Sequence, residues 1–405
     1  MFLLVLTVVD GCGDGSAFVA VDAPGDDAVA PDAVAPDALV DASAATVDAD
    51  VDAGGLDPHV DPSFGVGGSY AITGHGSAAA IARTAAGDVL LCGPSSLTML
   101  VTATTPWVAR VDGAGAAPPT LWTLAPAPAF ERCQDVIELA DGRIAVATSS
   151  RVQVRTSDGA VVAERMAPAS GPIAALAAAP DGGLWVLDTT GLSRWDAALQ
   201  DVPAFGVGGR VAIVGGADLT VAGADLATAR VTVAVDAACE LRRYRGDTGA
   251  ADASFGVDGV ADLVPFLGAP YLECRARQLV ALSTGRVAVH TYALGSGVAD
   301  AGALVVSADG ASGQLVSGGL VVPASMTEDP TGQPVWPSWS GGAGQLDRLP
   351  VSNGARTLWV KPPGCGPCNY VATGAVWVGG AIVGYTMLES GAADPYSVGL
   401  VRVRW

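Results

Sequence analysis

A loosely repeated unit of about 48 residues constrains this chain most. A small turn followed by a short apolar strand recurs at 86–91 (AGDVLL), 141–146 (DGRIAV), 181–186 (DGGLWV) and 228–233 (TARVTV). It returns at 284–289 (TGRVAV), 331–336 (TGQPVW) and 373–378 (TGAVWV). A second strand, often carrying Arg and running into a polar turn, follows each copy. Examples are WVARVDGAG at 107–115, VQVRTSDGA at 152–160, ELRRYRGDTG at 240–249 and LVRVRW at 400–405. Asp-Gly and Asn-Gly pairs supply the positive φ of tight hairpins, and Val-x-Val alternation has the period of a strand. Such units gain a continuous core only by packing on one another, so the spacing predicts radially arranged antiparallel sheets.

A sharper motif recurs on the same period. It reads Asp61-Pro62-Ser63-Phe64-Gly65-Val66-Gly67-Gly68, then Pro203-Ala204-Phe205-Gly206-Val207-Gly208-Gly209, then Asp252-Ala253-Ser254-Phe255-Gly256-Val257-Asp258-Gly259. Together with the Ala-Arg-like strand at Trp107–Gly113, these turns resemble the delta-sixty repeat of secreted bacterial propellers. The expected fold is an all-β β-propeller over residues 63–405, with seven blades of four antiparallel strands. In it the Phe wedges between neighbouring sheets while the glycines turn the backbone. The chain ends on a strand and the first motif is the turn that should follow one. Joining end to start would therefore close a seventh blade and hide its edges. A β-helix is the competing fold, although its repeats are shorter.

The first twelve residues read differently. Met1–Val9 is an apolar run too short to span a bilayer, of the kind found in a secretion signal, although no positive charge precedes it. It ends in Val9-Asp10-Gly11-Cys12, which resembles a lipobox, and the resemblance implies a lipid anchor on Cys12. Residues 13–62 form an Asp/Ala/Pro-rich tract expected to be a disordered linker. Residues 1–62 hold thirteen Asp and no Lys, Arg or Glu. The whole-chain charge of −20 thus falls to −7 over 63–405, with 28 acidic and 21 basic side chains. A mildly acidic domain argues against nucleic acid as a partner and against docking on anionic lipid. The only expected membrane attachment is the anchor at Cys12. The expected location is extracellular, or the outer membrane of a bacterial envelope.

Candidate chemistry is sparse. Cys365-Gly366-Pro367-Cys368 has the thioredoxin-type spacing, but its flanks predict no helix to lower a thiol pKa, so a local disulfide is expected. Cys92 and Cys133, and Cys239 and Cys274, lie 41 and 35 residues apart. Near one unit each, they are expected to staple adjacent blades or the inside of one. His59, His75 and His290 are scattered without metal spacing and read as surface or loop residues. Trp107, Trp185, Trp195 and Trp377 read as packing residues. No catalytic, cofactor-binding or metal-ligating set is predicted. The expected role is a monomeric binding or interaction scaffold for a surface protein or glycan. A secreted hydrolase, lyase or quinoprotein-type enzyme with its site in the central channel is the alternative.

Overall fold

The computed structural model describes residues 60–72, 78–93, 105–124, 131–168, 171–236, 238–268, 271–295, 298–317, 326–340, 343–348, 356–359, 369–388 and 396–403. Strand β1 (Ser69–Ile72) comes first. Blade 1 follows as β2 (Ala80–Arg83), β3 (Val89–Gly93), β4 (Trp107–Val111) and β5 (Thr120–Thr123). Blade 2 is β6 (Cys133–Glu138), β7 (Ile144–Thr148), β8 (Arg151–Arg155) and β9 (Val161–Met166). Blade 3 is β10 (Ile173–Ala178), β11 (Leu184–Asp188), β12 (Gly191–Trp195) and β13 (Arg210–Ala212). Blade 4 is β14 (Gly216–Ala222), β15 (Arg230–Val235), β16 (Glu240–Arg245) and β17 (Val260–Asp262). A single helical turn, α1 (Val264–Leu267), leads into blade 5, formed by β18 (Tyr271–Ala281), β19 (Val287–Gly295), β20 (Val298–Val306) and β21 (Gly313–Ser317). Blade 6 is β22 (Thr327–Glu328), β23 (Pro334–Ser340), β24 (Ala343–Arg348) and β25 (Arg356–Trp359). The last strands, β26 (Asn369–Trp377), β27 (Ala381–Leu388) and β28 (Tyr396–Val403), share a sheet with β1.

The expectation of seven blades requires correction to six. Six blades are continuous four-strand meanders, whereas the remaining sheet is a composite ordered β1-β28-β27-β26 from both ends of the described chain. The seven sequence echoes are not equivalent either. Six fall on the second strand of a blade, from β3 to β23, but 373–378 falls on β26, the first strand of its sheet. The reason is local. Its Thr373-Gly374 pair sits at a β-bulge between Ala372 and Gly374, and the hairpin turn comes later, at Gly379 (φ 64°). In five of the other six copies a glycine closes the first hairpin; the copy at 228–233 (TARVTV) has none. The N–H groups of Gly87, Gly142, Gly182, Gly285 and Gly332 each donate to the carbonyl three residues back, all at φ between 79° and 92°. At both kinds of site the backbone needs the freedom of glycine, so sequence alone does not separate them.

The first strands β2, β6, β10, β14, β18, β22 and β26 adjoin one another in that order and return to β2, which closes the propeller. Hydrophobic clusters fill the spaces between sheets, one of them joining Trp107 and Leu91 of blade 1 to Ile382 and Leu400 of the composite sheet. Trp107, Trp185 and Trp195 are fully buried, whereas Trp377 is only partly so. Phe64, Phe205 and Phe255 are also fully buried, and each ring lies under a glycine of the next sheet, Gly115, Gly249 and Gly310 respectively. The backbone reinforces this dovetail, with Gly206 N–H donating to Thr248 O (2.8 Å) and Gly256 N–H to Asp309 O (2.7 Å).

The termini close the ring with the same parts. Ser69 to Ile72 register on Val401 to Val398, and Val60 bridges Val403. The buried Asp61 carboxylate accepts from Arg402 (2.6 Å) and from the Ser63 hydroxyl (2.7 Å), and the Arg402 guanidinium lies over the Phe64 ring. Within the chain, Asp252 with Ser254, and Arg243 over Phe255, repeat the arrangement in part, with Arg230 (3.1 Å) supplying the ion pair to Asp252. Val60 and Asp61 therefore belong to the fold, although the sequence places them in the linker. Residues 13–59 of the expected linker and the whole of 1–12 lie outside the described residues.

Candidate functional site

The innermost strands carry a recurrent bulge, and that bulge organises the channel. Register shifts occur between Cys133 and Asp135, Ile173 and Ala175, Gly216 and Asp218, and Ala276 and Gln278. A bulge leaves a backbone amide without its ladder partner. Two carboxylates accept from amides just past these bulges. Asp135 accepts from its own neighbour Val136 N–H (2.8 Å) and from Leu176 N–H of blade 3 (2.8 Å). Asp218 accepts from Leu219 N–H (2.8 Å) and from Leu279 N–H of blade 5 (2.7 Å). Each carboxylate thus accepts from one amide of its own blade and one of the next, both just past a bulge, and ties the two blades together.

Both side chains keep some solvent access but lie deep within the ring. Burial pushes the Asp135 carboxyl up to about 7, although its two amide donors pull the other way. Asp218 rises to about 8, first through burial and then through the nearby charge of Asp135. Because these folded values exceed the unfolded one, the associated stability is full below about pH 4 and is lost as pH rises through 7 and 8. His290 works the other way. Burial, then the Arg277 charge, lowers it to about 4, so its contribution grows as pH rises toward 6.5. The steepest fall in stability is therefore expected above pH 6.5. Thermal midpoints of the wild type should decline from pH 6.5 to 8.5, and the Asp135→Asn/Asp218→Asn variant should flatten that decline. Equal slopes for the two proteins would refute the assignment.

His290 is 2% exposed, and neither ring nitrogen has a hydrogen-bond partner among the described residues. It registers on Gln278, whose Oε1 is also buried without a partner among the described residues. The equivalent pair in blade 1 is Cys92 with Ala80. The expectation of a surface or loop histidine is thus overturned, because the strand TGRVAVH continues past His290 into β19 instead of ending there. His59 and His75 lie outside the described residues.

One end of the channel opens between the first hairpin turns of blades 1 to 4. It forms a shallow cavity of about 570 Å³ lined by Ala85, Ala86, Glu138, Ala178, Pro180 and Ala224. Meander topology places the turns between third and fourth strands at the same end. There the Phe-Gly-Val motifs hold Val66, Val207 and Val257 outward, 88%, 90% and 77% exposed.

Cys92–Cys133 and Cys239–Cys274 are disulfides, each crossing from one blade to the next. Cys12, Cys365 and Cys368 lie outside the described residues. Among the described residues no group of three or more His, Cys, Asp or Glu is arranged to hold a metal ion. The sequence reading missed Asp135 and Asp218. Their only signal is an Asp just ahead of an apolar strand run, in CQDVIE and GADLTVA, which resembles many exposed strand starts.

No protein-family model matches the chain, and no curated protein does. Solved structures do share the fold. A streptogramin B lyase superposes with a TM-score of 0.54 at 10% identity, covering 83% of this chain and 97% of its own. The Pan2 WD40 domain of Neurospora crassa gives 0.51 at 11%, covering 80% and 89%. The extracellular domain of a hybrid two-component system from B. thetaiotaomicron gives 0.51 at 9%, covering 82% of this chain but 39% of that one. At these identities the likeness establishes the β-propeller fold.

Proposed function

We propose that the protein is an extracellular binding propeller, held at a bacterial cell surface through a lipid anchor at Cys12, which engages a surface protein or glycan. The observation that carries this reading is the repeated valine tip. Val66, Val207 and Val257 project into solvent from turns whose own Phe is fully buried two residues earlier. An apolar side chain on a rigidly anchored turn contributes binding area at little ordering cost. Two inter-blade disulfides fit an oxidising compartment and stiffen the platform. A channel enzyme is the second reading, favoured by the raised carboxyls of Asp135 and Asp218. Against it, both carboxylates already bridge backbone amides.

The test presents the full chain to arrays of purified envelope proteins and of glycans. The variant Val66→Asp/Val207→Asp/Val257→Asp should lose binding at least about tenfold, the scale of 1.4 kcal/mol, while keeping its thermal midpoint. If the variant binds as the wild type does and Asp135→Asn/Asp218→Asn does not, the scaffold reading fails in favour of the channel.

A further inference from the structure

At the end of the channel opposite the first hairpins, blade 5 rises above blade 4. Register fixes the common level. Val235 pairs with Gly216 just before the bulge of blade 4, and Thr291 pairs with Ala276 just before the matching bulge of blade 5. In blade 4 the second strand stops at Val235. In blade 5, β19 runs on to Gly295, and β18 begins beside it at Tyr271. At about 3.3 Å per residue, the step between the two blades is roughly 13 Å high.

Arg275 and Arg277 lie on β18 at the foot of this step and are 47% and 46% exposed. Both reach one atom, Asp236 Oδ2 in the turn after β15, at 3.4 and 3.3 Å. Those contacts are longer than the roughly 2.7–2.9 Å of a tight charge-assisted bond. The other Asp236 oxygen is buried without a partner among the described residues, so it offers the guanidiniums nothing. Each guanidinium carries several N–H donors in a fixed fork. Two forks thus share one acceptor, and their charge exceeds that of Asp236 by one. The surroundings are held in place. The Cys239–Cys274 disulfide joins the turn that carries Asp236 to the strand that carries both arginines, and the Asp236 N–H donates to Gly215 O (3.0 Å).

From this geometry we infer that Arg275 and Arg277 form a binding site for a singly charged oxyanion, the carboxylate or sulfate-ester group of a ligand seated against the step. Either group presents two or more oxygens to the guanidinium forks, which a single Asp236 oxygen leaves largely unused. The single surplus charge matches a monoanion, so a phosphate dianion is the poorer fit. The site lies at the opposite end of the channel from the valine tips and does not depend on them.

Methyl glucuronide and glucose 6-sulfate, titrated into the full chain at constant ionic strength, supply the test. Glucose is the uncharged control, and the backbone amide resonances of Ala276 and Gln278 are the readout. At least one anion should shift them saturably, with half-saturation between roughly 0.1 and 10 mM, and glucose should not. Saturation by one anion alone assigns the group as carboxylate or as sulfate. Arg275→Gln/Arg277→Gln should weaken that binding at least about tenfold without changing the thermal midpoint, because both side chains are nearly half exposed. Arg132→Gln removes a charge exposed at the same end on blade 2 and should leave binding unchanged. The inference is overturned if neither anion saturates by about 100 mM, or if the double variant binds as the wild type does. It is overturned equally if Arg132→Gln weakens binding as much as the double variant, since the anion would then follow total charge.

Discussion

Arg402→Met should destabilise the propeller by about 3–5 kcal/mol, the cost of leaving a buried charge without its partner. The Asp61 side chain is fully buried, and Arg402, 11% exposed, is the cation that compensates it. Burial alone would raise the Asp61 carboxyl, but the Ser63 hydroxyl and amide together with Arg402 outweigh it and hold the carboxyl below its ordinary value. The contribution of Asp61 is therefore present above pH 3.8 and disappears as pH falls through the lowered folded value. Location adds to the effect. Asp61 and Arg402 join chain segments 341 residues apart, at the one sheet with no covalent connection between its third and fourth strands. Losing the pair should free the edge of β28 as well as cost energy. Urea denaturation would give the magnitude, and limited proteolysis should cut first near Val60. A variant within 0.5 kcal/mol of the wild type would show that the pair acts as an exposed one does. Glu240 with Arg242, 26% and 32% exposed, provides the control, since its loss should cost at most about 1 kcal/mol.

The sequence made the fold legible wherever a side chain and its backbone requirement coincide. In the Phe-Gly-Val turns, Gly65, Gly206 and Gly256 are at φ 56° to 59°, and a Cβ on any of them would collide with the backbone carbonyl four residues on. Two positions later the motif varies, Gly67 and Gly208 giving way to Asp258. That position also has positive φ, but a Cβ on Gly67 or Gly208 would meet nothing within 4 Å, so Asp fits. The inter-blade cysteines were legible because their separations approximate one repeat. Asp135 and Asp218 were not, because their role depends on a bulge, and a bulge arises from the pairing of two strands. For the same reason Thr373-Gly374 read as a hairpin turn. His290 was misread because only the length of β19 places it inside the sheet.

Phe255→Ala should cost about 3–5 kcal/mol, and its coupling to Gly310 would identify the wedge as the cause. The ring is fully buried between blades 4 and 5, with the Arg243 guanidinium 3.9 Å above its centre. Against the ring also lies Gly310, at φ 70°, whose added Cβ would come within 2.8 Å of it. Gly310→Ala alone should therefore destabilise twice over. It incurs about 1–2 kcal/mol of left-handed backbone strain, and it collides with a ring that the core holds in place. Once Phe255→Ala has emptied the site, the second part vanishes, because the new methyl group occupies space the ring has left. The double variant should then be more stable than the sum of the single effects predicts by at least about 1 kcal/mol. Equilibrium denaturation of the four proteins would measure this directly. Additive effects would mean that ring and glycine do not touch in solution, and the dovetail between consecutive blades would have to be attributed to the backbone hydrogen bond from Gly256 to Asp309 alone.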